Sequence, residues 1–379
     1  MKMLHSMLDN DLYKFTMQQA VLHHYPDAKA TYRFINRGAQ KFNENFLNEL
    51  AKRIEDFRTM QPLTDSEAEF LSKQYFIKPW YIEYLRGYRF NPDQITLGLK
   101  DEQLEIEISG PWHSTILWEV PLMAVISEEY LGPIDLKKTD QKERAAKKAL
   151  ILGEENCFFA DFGTRRRRSM DAQKLVLETL KDKPGFVGTS NVFYAHKLGL
   201  RPIGTMAHEW VQAISALESV NHANRFMMQK WSDFYQGSLG IALTDTYGLR
   251  AFLIDFQPQF AKLFDGVRHD SGCPFELTDR MVHLYNSYHI DPKSKTIVFS
   301  DGLNAEAAVK IKRYCDKVGI NCSFGIGTNF TNDFDDAKPL NMVIKLWTMN
   351  GMPVAKLSED PSKASGHPKA IETARLVYG

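Results

Sequence analysis

The chain has 379 residues, 44% of them hydrophobic, enough to bury a large core in two domains or in one barrel with an addition. Lys plus Arg equals Asp plus Glu at 47 each, so no overall field draws the molecule to nucleic acid or to an anionic membrane, and any anion must be held locally. No run approaches the roughly 20 apolar residues of a membrane span, the first eleven residues lack a signal-length apolar stretch, and the four cysteines lack the pairing of a zinc site or a disulfide framework, so a reduced, cytoplasmic protein is expected.

In chain order, helical patterns over residues 12–25, 42–57 and 65–74 mix with strand patterns over 31–35 and 104–109, which is the mark of an α+β domain. A charged stretch over 136–148 reads as an exposed helix or linker and closes a first unit at about residue 135. A different rhythm then fills residues 136–340. Short apolar runs at 157–162, 186–188, 202–206, 241–243, 266–268, 296–299 and 322–326 are each separated by enough chain for a helix, so parallel pairing is expected, and their number suits an α/β barrel better than an open sheet. Strand patterns over 342–346 and 352–357 flank Asn350-Gly351, a hairpin turn signal, and are expected to carry residues 341–379 back to the first domain.

The segment Gly204-Thr205-Met206-Ala207-His208-Glu209-Trp210 places a histidine and a glutamate at the mouth of a helix, directly after an apolar run. Trp210, Val211, Ile214, Leu217 and Val220 recur at spacings of three and four, which predicts one helix over 208–231 with His208 in its first turn. Free N–H groups and the positive dipole end there favour an anion, and a phosphorylated imidazole would be well held. The plain alternative is a solvated His-Glu pair capping a helix. Polar or glycine residues close nearly every apolar run: Asp161 and Arg165, Thr189 and Ser190, His208, Asp245, Arg268 and Asp270, Asp301, then Gly325 and Gly327. In a parallel barrel those ends share the rim on which active sites are built.

Phe162 is followed by Arg165, Arg166, Arg167 and Arg168. A neutral chain without other basic clusters makes a small-anion site or a solvated surface a better reading of that run than nucleic acid, and Phe162 offers a face for a flat ring. Arg268-His269-Asp270-Ser271-Gly272 combines a cation, a carboxylate, a hydroxyl and a glycine, which suits a sugar phosphate; an Asx-type turn is the alternative. Ser300-Asp301-Gly302 and Gly325-Ile326-Gly327-Thr328 repeat the theme, the second with two glycines that permit close backbone approach to phosphate. It matches neither a P-loop nor GxGxxG. Asp245 is placed to orient the His208 imidazole, with a helix N-cap as its other reading.

Seven ordered segments, Asp11-Leu12-Tyr13-Lys14-Phe15-Thr16-Met17, Asp161-Phe162-Gly163-Thr164-Arg165, Gly188-Thr189-Ser190-Asn191, Ala207-His208-Glu209, Val267-Arg268-His269-Asp270-Ser271-Gly272, Ser300-Asp301-Gly302-Leu303-Asn304 and Phe324-Gly325-Ile326-Gly327-Thr328, together resemble the nicotinate phosphoribosyltransferase family. The resemblance implies an irregular, incomplete α/β barrel packed on an α+β domain, and a homodimer in which Tyr13 reaches into the partner's site. It implies that Tyr13 and Phe162 sandwich the pyridine ring, that Thr189 and Ser190 border it, and that Arg165 and Arg268 hold its substituent and a neighbouring phosphate. Relatives that use nicotinamide carry an acidic residue near the place of Ser190, so Ser190 favours the acid. His208 is similar to a histidine phosphorylated by ATP, with Asp245 fixing its tautomer. Asp270 and Asp301 would contact ribose hydroxyls or magnesium, Ser271, Gly272 and Gly302 would border the phosphoribosyl group, and Gly325, Gly327 and Thr328 would cradle its 5′-phosphate. The implied substrates are nicotinate, phosphoribosyl pyrophosphate and ATP with Mg2+, no metal ligands being assigned. Nicotinamide or quinolinate is the alternative acceptor, and an inactive nucleotide-binding relative the alternative class. One departure is Cys273, which stands after Ser271-Gly272 where the family usually has an acidic residue.

Overall fold

The computed structural model describes residues 6–336, 338–360 and 363–378. Its strands are β1 (Lys29–Asn36), β2 (Ile95–Lys100), β3 (Gln103–Pro111), β4 (Phe159–Asp161), β5 (Phe186–Thr189), β6 (Ile241–Leu243), β7 (Gly266–His269), β8 (Thr296–Phe299), β9 (Asn321–Ile326), β10 (Met342–Met349), β11 (Met352–Pro353), β12 (Ala355–Lys356) and β13 (Ser365–Gly366).

One antiparallel sheet runs β11-β10-β1-β3-β2. In β1 every second side chain, Ala30, Tyr32 and Phe34, is buried, as a strand with one covered face requires. Asp101 and Glu102, both at positive φ, turn β2 into β3, and Asn350-Gly351, also at positive φ, turns β10 into β11. β10 pairs with β1 from Asn36↔Met342 to Ala30↔Met349, so the late strand does return to the N-terminal sheet. The expected strand over 352–357 divides instead. Pro353 has no N–H to extend a ladder, and after it β12 leaves to pair with β13.

The second sheet is six parallel strands in the order β5-β4-β9-β8-β7-β6. The apolar run at 202–206, expected as a further strand, does not form one. It contributes a bridge between Thr189 and Pro202, the bond from Ile203 N–H to the Thr189 carbonyl at 2.9 Å, and the Thr205 hydroxyl on the Ile241 carbonyl at 3.2 Å. The run thus bridges β5 and β6 irregularly, without a ladder on either side. The helix Leu12–His24 accounts for part of this: Thr16 Oγ takes the Thr205 carbonyl at 2.6 Å, and Gly204 lies so close that a Cβ there would be 3.1 Å from the Tyr13 nitrogen.

Residues 12–21 of that first helix are all buried, Lys14, Thr16, Gln18 and Gln19 included, so it is an interior element joining the two sheets. The helix predicted over 208–231 is broken into His208–Leu217 and Ala223–Tyr235. His222 adopts a left-handed conformation between them, and Asp255 accepts from His222 Nδ1 at 2.7 Å and from the Arg225 N–H at 3.2 Å, satisfying the new helix start from outside the segment. Among the described residues no helix is long and apolar enough to cross a membrane.

Candidate functional site

Three adjoining cavities open at the C-terminal ends of the parallel strands. The smallest, about 100 Å3, is lined by Asp11, Tyr13, Phe162, Ser190 and Met206 among others. A second, about 270 Å3, is walled by His208, Asp270, Lys345, Lys356 and Lys363. A third, about 410 Å3, has Asn304, Gly325, Gly327 and Thr328 on its wall. Arg165 and Arg268 line all three. Two guanidiniums at the junction of a small aromatic cleft and two polar cavities can bind one anionic group from several directions.

His208 opens its helix as the residue after the N-cap Ala207, in the first turn as the spacing predicts. Its Nε2 lies 2.8 Å from Asp245 Oδ1, 2.8 Å from Lys356 Nζ and 3.8 Å from Asp270 Oδ2. Asp245 follows β6, is buried, and also accepts from Lys356 at 2.8 Å and from Ser271 Oγ at 2.5 Å. Burial, then the Lys356 ammonium, push His208 down to about 4 against the opposing pull of Asp245. Burial disfavours charge on Asp245 too, yet His208 and Lys356 outweigh it and hold the carboxyl well below its ordinary range. The ring is therefore neutral near pH 7. Nδ1 has no hydrogen-bond partner among the described residues.

Glu209, next in sequence, serves the frame. It accepts from Lys14 at 2.5 Å, from the Tyr32 hydroxyl at 2.5 Å and from Trp112 Nε1 at 2.8 Å, tying the helix start to the first helix and to β1. Lys14 also bridges to Glu119 at 2.6 Å, and Glu119 accepts from Arg165 at 3.2 Å. Burial works against the Glu119 charge, but Lys14, Arg165 and Lys345 bring its carboxyl down to about 2. The arginine run divides in two. Arg166 lines two of the cavities, whereas Arg167 is buried on Asp9 at 2.7 Å and Glu128 at 2.8 Å, and Arg168 reaches Asp336 at 2.7 Å.

In the small cavity Phe162 packs against Gly325, where a Cβ would stand 2.2 Å from two ring carbons. The missing side chain at 325 thus makes room for an aromatic ring, while Gly325 also lines the third cavity with Gly327 and Thr328. Ser190 lines the cavity but gives its proton to Asp11 Oδ1 at 2.7 Å, so a carboxylate is present beside it after all. Burial raises Asp11, partly opposed by Arg165. Thr189 lies behind the wall, its hydroxyl on Asp161 at 2.8 Å, and borders none of the three cavities. Tyr13 lines the cavity of its own chain, held there because the Leu12 N–H bonds the Ser190 carbonyl at 2.8 Å.

On the polar side, Ser300 Oγ donates to Asp270 Oδ1 at 2.6 Å and Lys363 holds both oxygens of Asp301 at 2.7 Å. Gly302 borders two cavities, but Ser271 and Gly272 border none: Ser271 braces Asp245, and Gly272, at φ +86°, faces Glu359. Cys273 is exposed.

The N-terminal-domain model of the nicotinate phosphoribosyltransferase family matches residues 8–127, and the main model of that family matches 157–379. The nicotinate phosphoribosyltransferase of Methanosarcina acetivorans is 48% identical over 400 residues, covering 100% of this chain and 98% of the relative. The enzyme of Escherichia coli O17:K52:H18 is 44% identical over 98% of this chain and 94% of its own. The chain belongs to the nicotinate phosphoribosyltransferase family. The crystal structure of the Porphyromonas gingivalis nicotinate phosphoribosyltransferase superposes with a TM-score of 0.95 at 38% identity over 100% of both chains, and that of Vibrio cholerae with 0.93 at 34% over 100% of this chain and 94% of the other.

For a member of this family, magnesium is the ion to test against the donors. His208, Asp245 and Asp270 present ligand atoms within 4.8 Å of one another. The Lys356 ammonium already lies 2.8 Å from His208 and from Asp245, and Arg268 opposes the charge of Asp270, so each carboxylate of the trio has a cation of the protein's own. Asp301 is likewise matched by Lys363. These residues do not fit a preformed divalent site. Sequence reasoning missed Lys356, Lys363, Lys345, Asp11 and the Lys14–Glu119 bridge. A signal existed for some of them: Lys345 and Lys356 interrupt otherwise apolar strand patterns.

Proposed function

We propose that this protein transfers the phosphoribosyl group of phosphoribosyl pyrophosphate to the ring nitrogen of nicotinate, giving nicotinate mononucleotide and pyrophosphate for NAD biosynthesis, and couples the transfer to ATP through a phosphohistidine at His208. The observation that carries the proposal is the pairing of His208 Nε2 with Asp245 at 2.8 Å on the wall of a cation-rich cavity that shares Arg165 and Arg268 with an aromatic cleft.

Tyr13 and Phe162 line a small cleft suited to a flat ring, and Arg165 and Arg268 on the same lining are the cations available to its carboxylate. The ring nitrogen attacks the anomeric carbon as the bond to pyrophosphate breaks and the leaving oxygen keeps the electron pair. Arg165, Arg166, Arg268 and Lys345 meet the negative charge that develops there. The backbone at 325–328 faces the 5′-phosphate. At His208, Nδ1 attacks the terminal phosphorus of ATP, the bond to the bridging oxygen breaks and ADP departs with its electrons. The resulting charge on the ring is carried by Nε2–H against Asp245, the part carboxylates play toward reacting histidines. Hydrolysis of the phosphohistidine yields phosphate. Magnesium neutralises phosphate charge when present, and it would come bound to the polyphosphate substrates.

Replacement of His208 by Ala tests the coupling. Nicotinate mononucleotide formation should continue slowly, while ADP release per product falls to zero and acid-labile phosphate disappears from the protein. An H208A variant that still hydrolyses ATP in step with product removes the phosphohistidine. Asp11 favours a second reading of the acceptor, because a carboxylate beside Ser190 can accept the amide N–H of nicotinamide. Competition between nicotinate and nicotinamide at equal concentration decides between them.

A further inference from the structure

Lys356 lies at the end of β12, a strand of two residues, and its side chain is 7% exposed. Its ammonium stands 2.8 Å from His208 Nε2 and 2.8 Å from Asp245 Oδ2. The Leu357 N–H holds the Thr246 carbonyl at 2.8 Å, and Ser358 Oγ bonds Ser271 Oγ at 2.8 Å, so the backbone around Lys356 is fastened to the loop that carries Asp245. Nε2 therefore has two neighbours at bonding distance with opposite demands. Asp245 Oδ1 takes a proton, and the ammonium gives one. A single ring nitrogen can satisfy one of them at a time.

If Nε2 bears the proton, it donates to Asp245, the ammonium turns its donors to Oδ2, and Nδ1 keeps a free lone pair. If the ammonium donates to Nε2, the ring proton sits on Nδ1. Both arrangements leave the imidazole neutral. An imidazolium would set two cations against Asp245, with Asp270 Oδ2 at 3.8 Å already facing Arg268. Ser271 also donates to Asp245 and carries no charge, and the His269 imidazole on β7 is near enough to feel the Asp245 carboxylate but is itself held toward its neutral form by burial. Without the ammonium, Asp245 in its buried setting would draw a proton onto the ring, and an imidazolium has no lone pair with which to attack phosphorus.

We propose that Lys356 is a positioning residue for phosphoryl transfer at His208: it neutralises the second oxygen of Asp245 and so keeps the imidazole in the uncharged, nucleophilic form. The chemical consequence rests on the phosphohistidine proposed above, but the charge state of the resting ring does not. Burial and the ammonium together agree in direction with the low value for His208.

The test is 15N NMR of the full protein labelled at histidine, without nucleotide, between pH 5 and 8. The wild-type His208 ring should remain neutral through pH 6. In K356M and in K356Q its midpoint should rise by about 1 to 3 pH units, the span expected for gain or loss of one adjacent charge, while K356R should keep the ring neutral. The rate of acid-labile phosphate formation from ATP should then fall below neutral pH in K356M and not in K356R. A K356M ring that titrates like the wild type overturns the proposal. Should both neutral variants fail to fold, a wild-type ring already cationic at pH 6 overturns it as well. Absence of phosphohistidine from the wild type given ATP would instead remove the coupling and leave the ring measurement standing.

Discussion

Replacing Lys14 by Met removes a fully buried ammonium, at 0% exposure, from between Glu209 at 2.5 Å and Glu119 at 2.6 Å. Two charge-assisted hydrogen bonds are lost, each worth roughly 1.5 to 3 kcal/mol, and breaking a buried pair from one side costs about 3 to 5 kcal/mol because the partner charge is left without compensation. Arg165 still faces Glu119, so Glu209, 6% exposed, is the carboxylate left without a cation. A destabilisation of about 3 to 5 kcal/mol at pH 8 is expected. The sign of its pH dependence follows from the protons bound. In the wild type Glu119 is depressed to about 2, so its contribution is present above the ordinary carboxylate range and fades only as pH falls toward 2. In K14M the folded state instead gains by binding a proton at Glu209, so its deficit should shrink as pH falls from 8 to 5. Urea unfolding followed by tryptophan fluorescence measures both, since Trp112 is buried against Glu209. Adding Glu209→Gln to K14M should recover part of the loss at pH 8. A loss below about 1 kcal/mol, or one equal at both pH values, would refute the reasoning, since roughly 3 kcal/mol or more is required of a buried pair.

Gly325→Ala places a methyl 2.2 Å from Phe162 ring carbons and should displace that ring, raising KM for nicotinate about 2- to 10-fold from the stacking lost; an unchanged KM in steady-state assays would remove Phe162 from the ring site. Asp11→Asn keeps an acceptor for Ser190 but removes a negative charge from the cleft, so nicotinate KM should fall roughly fivefold, about 1 kcal/mol, while inhibition by nicotinamide weakens. A rise in nicotinate KM contradicts this. Lys345 is brought down by burial to about 7, so pyrophosphate should bind more weakly as pH rises from 6 to 8 and the ammonium loses its proton. Calorimetric titration of Lys345→Met should show that dependence flattened; an undiminished slope assigns it to another group.

Much of the frame is local in origin and was legible. The strand pattern over 31–35 carries apolar Tyr32 and Phe34 on one face, Asn350-Gly351 supports a two-residue turn by its own backbone preferences, and the short apolar runs at 241–243, 266–268 and 296–299 form strands in which no side chain is fully exposed. His208 in a helical first turn, with Asp245 on the next strand end, was legible for the same reason: chemistry-bearing residues close successive parallel strands, and those ends must share a rim.

What tertiary structure decided are the charges that arrive from distant chain. Lys14, Lys345, Lys356 and Lys363 come from the first helix and the last hundred residues, and no spacing relates them to residues 165–301. The two helices in place of one over 208–231 likewise depend on Asp255, which satisfies the second helix start from another element. Periodicity reports which face of an element is apolar. It carries no information about which buried cation will meet which carboxylate, because that pairing is set by the close packing of a helix and two strands remote in sequence.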